Sequence, residues 1–196
     1  FARGTGDVTA SFPEVVAKLR TLERAVIMDG EVLAVTKDGG PRPFQALQAR
    51  LGRVAPEESV LRETPVAFVA YDLLFDGAPL LELPWRERRA RLESLPLQVN
   101  AFAPLDPELP VERQLDERFT AARARGHEGL MLKRVDAPYE AGRRGSAWRK
   151  VKRAFATLDV VITKAEYGHG KRTGVLSDYT FAVWRGSQLV EIGKAY

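Results

Sequence analysis

The sequence predicts an α+β protein, with a larger part that mixes strands and helices and a smaller β unit on its C-terminal side. Segments 26–35 and 65–75 are rich in apolar and β-branched residues and predict strands. Apolar residues at helical spacing predict the longer helices over 11–22, 85–95 and 111–125. After residue 153, apolar residues alternate with polar ones between tight turns. We therefore expect domains over 1–153 and 154–196.

The first helix is predicted by Ser11 and Glu14, which have the spacing of a capping box ahead of an apolar stripe. The strand over 26–35 is interrupted by the letters DGE at 29–31. A turn over 37–40 and a short helix over 44–51 are predicted next.

The strand over 65–75 is predicted to end in a turn and to lead into the helix over 85–95. That helix carries arginines beside Leu92 and Leu95, and we expect them to form a solvated face. These arginines are Arg86, Arg88, Arg89 and Arg91. The later predicted strands lie over 128–135, 147–151, 158–162, 179–184 and 189–192.

Composition limits the chemistry that the chain can carry. Hydrophobic residues make up 45% and charged residues 29%, as in a protein that folds in water. The absence of cysteine and the presence of only two histidines leave almost nothing for a thiol nucleophile, a thiolate zinc site or a Ser-His-Asp triad. No apolar run is long enough to span a membrane, so we expect no membrane partner and a cytoplasmic location.

The net charge of +4 is modest, but the basic residues are unevenly distributed. Segment 142–153 contains many of them and no acid. Such a cluster can hold phosphates, or it can be a solvated strand edge, and charge alone favours neither.

Three short segments combine an apolar strand with charged residues. In the DGE segment at 29–31, a glycine could let a ligand approach Glu31, although a β-bulge or turn is the simpler interpretation. In the letters EGLMLKR at 128–134, strand alternation puts Glu128 on one face and Lys133 on the other, or the charges simply mark the strand ends.

The third segment, 148–152, places two cations on one face of a strand. Lys150 and Lys152 would lie about 7 Å apart, which suits a polyphosphate. Together with Glu31 and Glu128 as oxygen ligands for Mg²⁺, and with Lys133, they form a set suited to phosphoryl or nucleotidyl transfer.

In sequence order these segments resemble the motifs of ATP-dependent DNA ligases. The family's motifs correspond to FAR at 1–3, DGE at 29–31, AYDLLFDG at 70–77, EGLMLK at 128–133 and RRGSAWRKVK at 143–152. Segments 157–161 and 168–174 resemble the opening of the OB-fold domain that follows in that family. The resemblance implies an antiparallel-sheet nucleotidyltransferase (adenylation) domain, ATP-grasp-like, followed by an incomplete OB-fold β-barrel.

The resemblance also implies roles for individual residues. Glu31 and Glu128 would be the metal-linked acids, and Tyr71 would stack on adenine where the family often has phenylalanine. The residues expected to contact ATP are Arg3, Glu31, Tyr71, Lys133, Arg144, Lys150 and Lys152. Lys171 and Arg172 are expected to contact DNA.

The family's nucleophile lies in a K-x-D-G motif, which does not occur in these 196 residues. Lys37 precedes Asp38 directly, without the spacer residue, and falls in a turn. We therefore expect the chain to be a segment of a ligase, to contain no catalytic lysine and not to adenylate itself.

The implied activity is the sealing of nicks in duplex DNA through lysine-AMP and DNA-adenylate intermediates, with ATP and Mg²⁺ as cofactors. This activity serves DNA repair, replication and recombination, here at the bacterial nucleoid, and we expect the complete protein to be monomeric. Two alternatives are an RNA ligase or mRNA capping nucleotidyltransferase, and a non-catalytic nucleic-acid-binding module. Binding to ATP with Mg²⁺ and the dependence of binding on salt separate the nucleic-acid-binding module from the DNA ligase.

Overall fold

The structure is a computed structural model that describes residues 1, 6–142, 145–153 and 157–195. It divides into two compact units, Phe1–Lys152 and Arg153–Tyr196. Within the described ranges, no helix is long and apolar enough to cross a membrane. The α+β prediction is confirmed, since both units contain small antiparallel sheets and the first also contains helices.

The α-helices of the described residues lie in the first unit, together with four of the strands. The helices are α1 (Pro13–Arg20), α2 (Phe44–Leu47), α3 (Glu58–Glu63), α4 (Trp85–Glu93) and α5 (Val111–Ala124). The strands are β1 (Val26–Ala34), β2 (Val66–Asp76), β3 (Leu130–Lys133) and β4 (Trp148–Val151). They form two antiparallel pairs, β1 with β2 and β3 with β4.

The main core lies where α4 packs on β2. It is built from Ala70 and Leu73 of the strand, Leu92 of the helix, and the flanking Leu80 and Leu95. Ala70 is also bridged in parallel to Val99. This packing fixes β2 between β1 and α4, and it thereby fixes the side chains at the middle of β2.

A second, smaller core consists of Phe12, Ala34 and Leu47, and the fully buried Arg50 lies beside it. Its guanidinium forms a bidentate ion pair with Glu14, at 2.7 and 2.9 Å, and donates to the carbonyls of Thr64 and Ser11. The guanidinium carbon Cζ of Arg50 lies 5.5 Å from the centroid of the Phe12 ring. Arg50 therefore connects the start of α1 to the segments around α2 and α3.

This arrangement corrects the predicted start of the first helix. Ser11 does not cap it: its hydroxyl donates to the carbonyl of Arg53, and the helix begins at Pro13. The physical reason is that Glu14, the other half of the predicted capping box, is paired with Arg50 instead.

The strand β1 continues through the DGE segment, with register shifts between Ile27 and Met28 and between Asp29 and Gly30. The shifts are β-bulges, which was the simpler interpretation of that segment. A Cβ on Gly30 would lie 2.5 Å from the Phe68 ring and 2.7 Å from the Val69 carbonyl oxygen. The close approach at Gly30 is thus made by the protein's own ring, and the prediction that the glycine admits a ligand is wrong.

Replacement of Gly30 by alanine is expected to destabilise the first unit by about 1 to 3 kcal/mol, because the added methyl group must displace Phe68 or the β2 backbone. Urea unfolding followed by circular dichroism measures this loss. Gly193→Ala is the matched control, because no described atom lies within 4 Å of its Cβ position. Equal stability of the wild type and Gly30→Ala would contradict the packing described here.

The second unit is a three-stranded antiparallel sheet in the order β5-β6-β7. Its strands are β5 (Val161–Tyr167), β6 (Leu176–Arg185) and β7 (Gln188–Ala195). Thr180 and Ala182 are buried at the centre of β6, whereas Trp184 is exposed. A 3-10 turn at Gly170–Arg172 lies between β5 and β6.

Candidate functional site

Lys133, at the end of β3, is held among aromatic rings. Its Nζ lies 3.7 Å from the centroid of the Trp148 ring and 5.1 Å from that of Tyr71. It donates a hydrogen bond of 2.9 Å to the backbone carbonyl of Tyr71. The amine thus links the β3–β4 pair to β2 and lies against two π faces that attract a cation.

The surroundings of Lys133 weaken its hold on a proton. Burial lowers the pKa of its amine from 10.5 to about 8, against the opposing attraction of Asp72 and Asp29. Near neutral pH, a bound anion would favour the charged amine and raise this pKa. Lys133 is therefore suited to receive a phosphate.

Two carboxylates lie opposite each other on the strands beside this lysine. Asp29 of β1 and Asp72 of β2 are cross-strand partners. Like charges in such a position repel, so each carboxylate needs a compensating group. Arg88 compensates Asp72, and the Tyr139 hydroxyl donates to Asp29 Oδ2 at 2.8 Å.

The Asp72–Arg88 pair is completely buried. Arg88 Nε and Nη2 donate to the two carboxylate oxygens of Asp72 at 2.8 and 2.9 Å, and Nη1 donates to the carbonyls of Leu83 and Ala137. Asp72 Oδ1 also accepts from the Leu73 backbone N–H. The pair joins β2 and α4 to the loop between β3 and β4, and so it supports the frame around Lys133.

This geometry corrects the prediction that the arginines of α4 form a solvated face. Arg88 is 0% and Arg89 6% exposed, whereas Arg86 and Arg91 are exposed. Arg89 is neutralised by Glu93 and also donates to Asn100. The buried side of α4 includes these two arginines because carboxylate and carbonyl acceptors, on α4 itself and on neighbouring segments, satisfy them.

Two further rings, those of Tyr139 and Trp85, complete the surroundings of the lysine. Trp148 meets Tyr71 edge-on, with centroids 6.0 Å apart, and meets Tyr139 in the same way at 5.7 Å. Trp85 lies with its centroid 5.4 Å from Lys133 Nζ. Together with Tyr71 these residues form an aromatic surface around the Lys133 amine, and the Arg88 and Arg89 guanidinium groups lie against the Tyr139 and Trp85 rings.

The predicted metal-linked acids lie at exposed positions. Glu31 is on β1, paired with Val69 of β2. Glu128 precedes β3, which begins only at Leu130, so the prediction that strand alternation places Glu128 and Lys133 on opposite faces of one strand is wrong. Among the described residues, no group of three or more His, Asp and Glu side chains stands ready to hold a metal.

The predicted phosphate and DNA contacts fall in different places. Lys150 lies exposed on β4, and Lys152 is exposed just beyond the end of that strand. Lys171 and Arg172 are exposed in the 3-10 turn of the second unit. Arg3 and Arg144 lie outside the described residues.

The sequence predicts no role in the site for Asp72, Arg88, Tyr139 or Trp148. One signal was available for Arg88: it shares the helical stripe of Trp85, Leu92 and Leu95, and a charged residue within an apolar stripe is often a buried, paired one. No local pattern connects Tyr139 to Asp29, which is 110 residues away in sequence.

The described site lies entirely within a segment that matches a known family. Residues 1–152 match the model of the ATP dependent DNA ligase domain. The chain belongs to the ATP-dependent DNA ligase family.

Individual relatives agree with this assignment. A probable DNA ligase of Koribacter versatilis is 44% identical, over 100% of this chain and 38% of that protein. A DNA ligase of Thermococcus onnurineus is 36% identical, over 99% of this chain and 36% of that protein. The chain thus spans well under half the length of these relatives.

Solved structures show a similar fold. The ligase domain of M. tuberculosis LigD has a TM-score of 0.61 and 30% identity, covering 98% of this chain and 58% of that one. Mycobacterial DNA ligase D complexed with ATP and MES has a TM-score of 0.64 and 30% identity, covering 98% and 57%. The nucleotide in the second structure shows that a related protein of similar fold binds ATP.

Proposed function

We propose that the chain supplies the nucleotide-binding part of an ATP-dependent DNA ligase that seals nicks in duplex DNA. The observation that carries this proposal is Lys133, an amine held between Trp148 and Tyr71 beside the carboxylates of β1 and β2. Catalysis of nucleotidyl transfer requires cations placed where charge develops on the α-phosphate. A lysine fixed by a hydrogen bond and a ring meets that requirement with little reorganisation.

Further residues are proposed to contact the nucleotide together with Lys133. The half-buried Tyr71 ring would stack on adenine, and Lys133 would hold a phosphate. The exposed Lys150 and Lys152 would neutralise the remaining phosphate charge. Arg3 and Arg144 are proposed as further nucleotide contacts from the resemblance of their motifs.

The exposed carboxylates of Glu31 and Glu128 suit Mg²⁺, which usually binds one or two carboxylates together with substrate phosphates. When bound, the ion would neutralise charge on the triphosphate. The chain's own contribution would be to bind and orient the nucleotide, since the K-x-D-G sequence of the family's adenylated lysine does not occur in these 196 residues.

We also propose that the second unit is part of an OB-fold domain that contacts DNA. Support comes from its three antiparallel strands and from the exposed Lys171 and Arg172 in the turn between two of them. Phosphate contacts of this kind weaken steeply as salt rises.

Calorimetric titration of the purified chain with ATP, with and without Mg²⁺, tests the proposal, alongside the mass of the chain before and after the incubation. We expect saturable binding that Mg²⁺ strengthens and no gain in mass, because no K-x-D-G lysine is present. Binding of DNA alone, without any binding of ATP, would overturn the proposal in favour of a nucleic-acid-binding module.

The binding of ATP is expected to depend on the charge of Lys133. With a pKa of about 8, the amine is protonated below pH 8 and loses its proton above it, so affinity should fall as pH rises from about 7 to 9. Since the bound phosphate raises this pKa, binding near pH 8 should take up protons. Titrations at pH 8 in buffers of different ionisation enthalpy measure the uptake.

Lys133→Arg is the control for this pH dependence, because arginine stays charged throughout the range. In that variant the proton uptake should vanish, whatever its affinity. An identical uptake in the wild type and Lys133→Arg would assign the titrating group to another residue.

A further inference from the structure

Tyr139 connects parts of the first unit that are far apart in sequence. It lies in the loop between β3 and β4, and its backbone N–H donates to the Leu81 carbonyl at 2.8 Å. Its hydroxyl donates to Asp29 Oδ2, also at 2.8 Å. The residue therefore joins this loop to β1 and to the segment before α4.

The ring of Tyr139 makes two further contacts. It meets Trp148 edge-on, with an angle of 87° between the ring planes, and the Arg88 guanidinium lies 5.8 Å from its centroid. Trp148 is the ring closest to the Lys133 amine. Tyr139 therefore contacts Trp148, which lies against the Lys133 amine, and it holds Asp29 of β1.

Asp29 lies in a demanding position. It faces Asp72 across the strands, and Asp72 already has a bidentate arginine. Asp29 also lies at a β-bulge, two residues before Glu31. A hydrogen bond that holds the Asp29 carboxylate therefore also fixes the bulged backbone that carries Glu31.

We propose that Tyr139 is a positioning residue of the nucleotide site: its hydroxyl fixes Asp29 and the segment that carries Glu31, while its ring supports Trp148 against Lys133. The inference rests on the proposed function. Residues that orient metal ligands commonly contribute 10- to 100-fold in affinity or activity, and we expect an effect of about that size here. Tyr139 itself needs no contact with the nucleotide for this role.

A double-mutant cycle on ATP affinity tests the proposal. Tyr139→Phe removes the hydroxyl and keeps the ring on Trp148, and Asp29→Ala removes its acceptor. We expect each variant to bind ATP with Mg²⁺ about tenfold more weakly, and the double variant to bind no more weakly than the singles, since both remove the same hydrogen bond. Thermal melting of each variant accompanies the titrations.

Tyr179→Phe is the matched control, because the Tyr179 hydroxyl also donates a hydrogen bond, here to the backbone carbonyl of Leu176 in the second unit. It should bind ATP like the wild type. The inference is overturned if Tyr139→Phe binds like the wild type, if the two losses multiply, or if the loss only follows a lowered melting temperature. Failure of the wild type to bind ATP would instead overturn the proposed function, and this inference with it.

Discussion

Asp72→Asn is expected to lower the free energy of unfolding of the first unit by about 3 to 5 kcal/mol. The substitution leaves the Arg88 guanidinium buried without its counter-charge. An asparagine side chain has one oxygen in place of two, so it cannot accept the two hydrogen bonds that Arg88 donates to Asp72. Tryptophan fluorescence during urea unfolding measures the loss. A Trp184→Phe background restricts the signal to Trp85 and Trp148 of the first unit, and it should be innocuous because Trp184 is 64% exposed.

The matched control for the buried pair is a pair on the surface. Arg113 and Glu117 are joined by a comparable hydrogen bond on α5, but both are exposed. Glu117→Gln should leave the stability nearly unchanged, because exposed pairs of this kind contribute little in water. Comparable losses for the two substitutions would show that the Asp72–Arg88 pair is far less buried than described.

Lys133→Met is expected to weaken ATP binding about 10- to 100-fold, which is the range of a charge-assisted hydrogen bond to phosphate. The same substitution should leave the first unit at least as stable as the wild type. Burial of the amine has a cost, visible in its lowered pKa, and methionine removes the charge at similar length. Affinity is measured by calorimetric titration and stability by urea unfolding.

Lys37→Met provides the comparison, since Lys37 is an exposed lysine in the turn after β1. It should change neither affinity nor stability. Loss of stability together with affinity in Lys133→Met would make Lys133 a structural residue; unchanged affinity would remove it from the site.

Lys133 and Asp72 show what the sequence can and cannot predict. Lys133 was identified because its motif carries both a strand pattern and a charge. Asp72 lay within a quoted motif without a role, because its significance depends on Arg88, which was expected on a solvated face. The apolar stripe of α4 indicates that Arg88 is buried, but the residue that pairs with it lies on another element, and periodicity does not reveal which residue that is.

The placement of the acids shows a different limit. The alternation that predicts the direction of the Glu128 side chain holds only inside a strand, and β3 begins two residues later. The ends of a strand are decided by hydrogen bonding, which the preferences of single residues do not record. Gly30 was noticed correctly, but the space beside it belongs to Phe68, a residue on the neighbouring strand. The antiparallel pairing of β1 and β2 turned a local signal into a packing contact.

Arg50 has a consequence for the dynamics of the chain. The helix α1 has no fully buried residue of its own, and Val15 packs against the second core only partly buried. The polar part of its attachment is the Arg50–Glu14 pair, together with the bond from Arg50 to the carbonyl of Ser11. Opening of this helix is therefore tied to release of one guanidinium, and its amide protons should exchange with solvent together, at a rate that reports the loss of that contact rather than the fraying of individual turns.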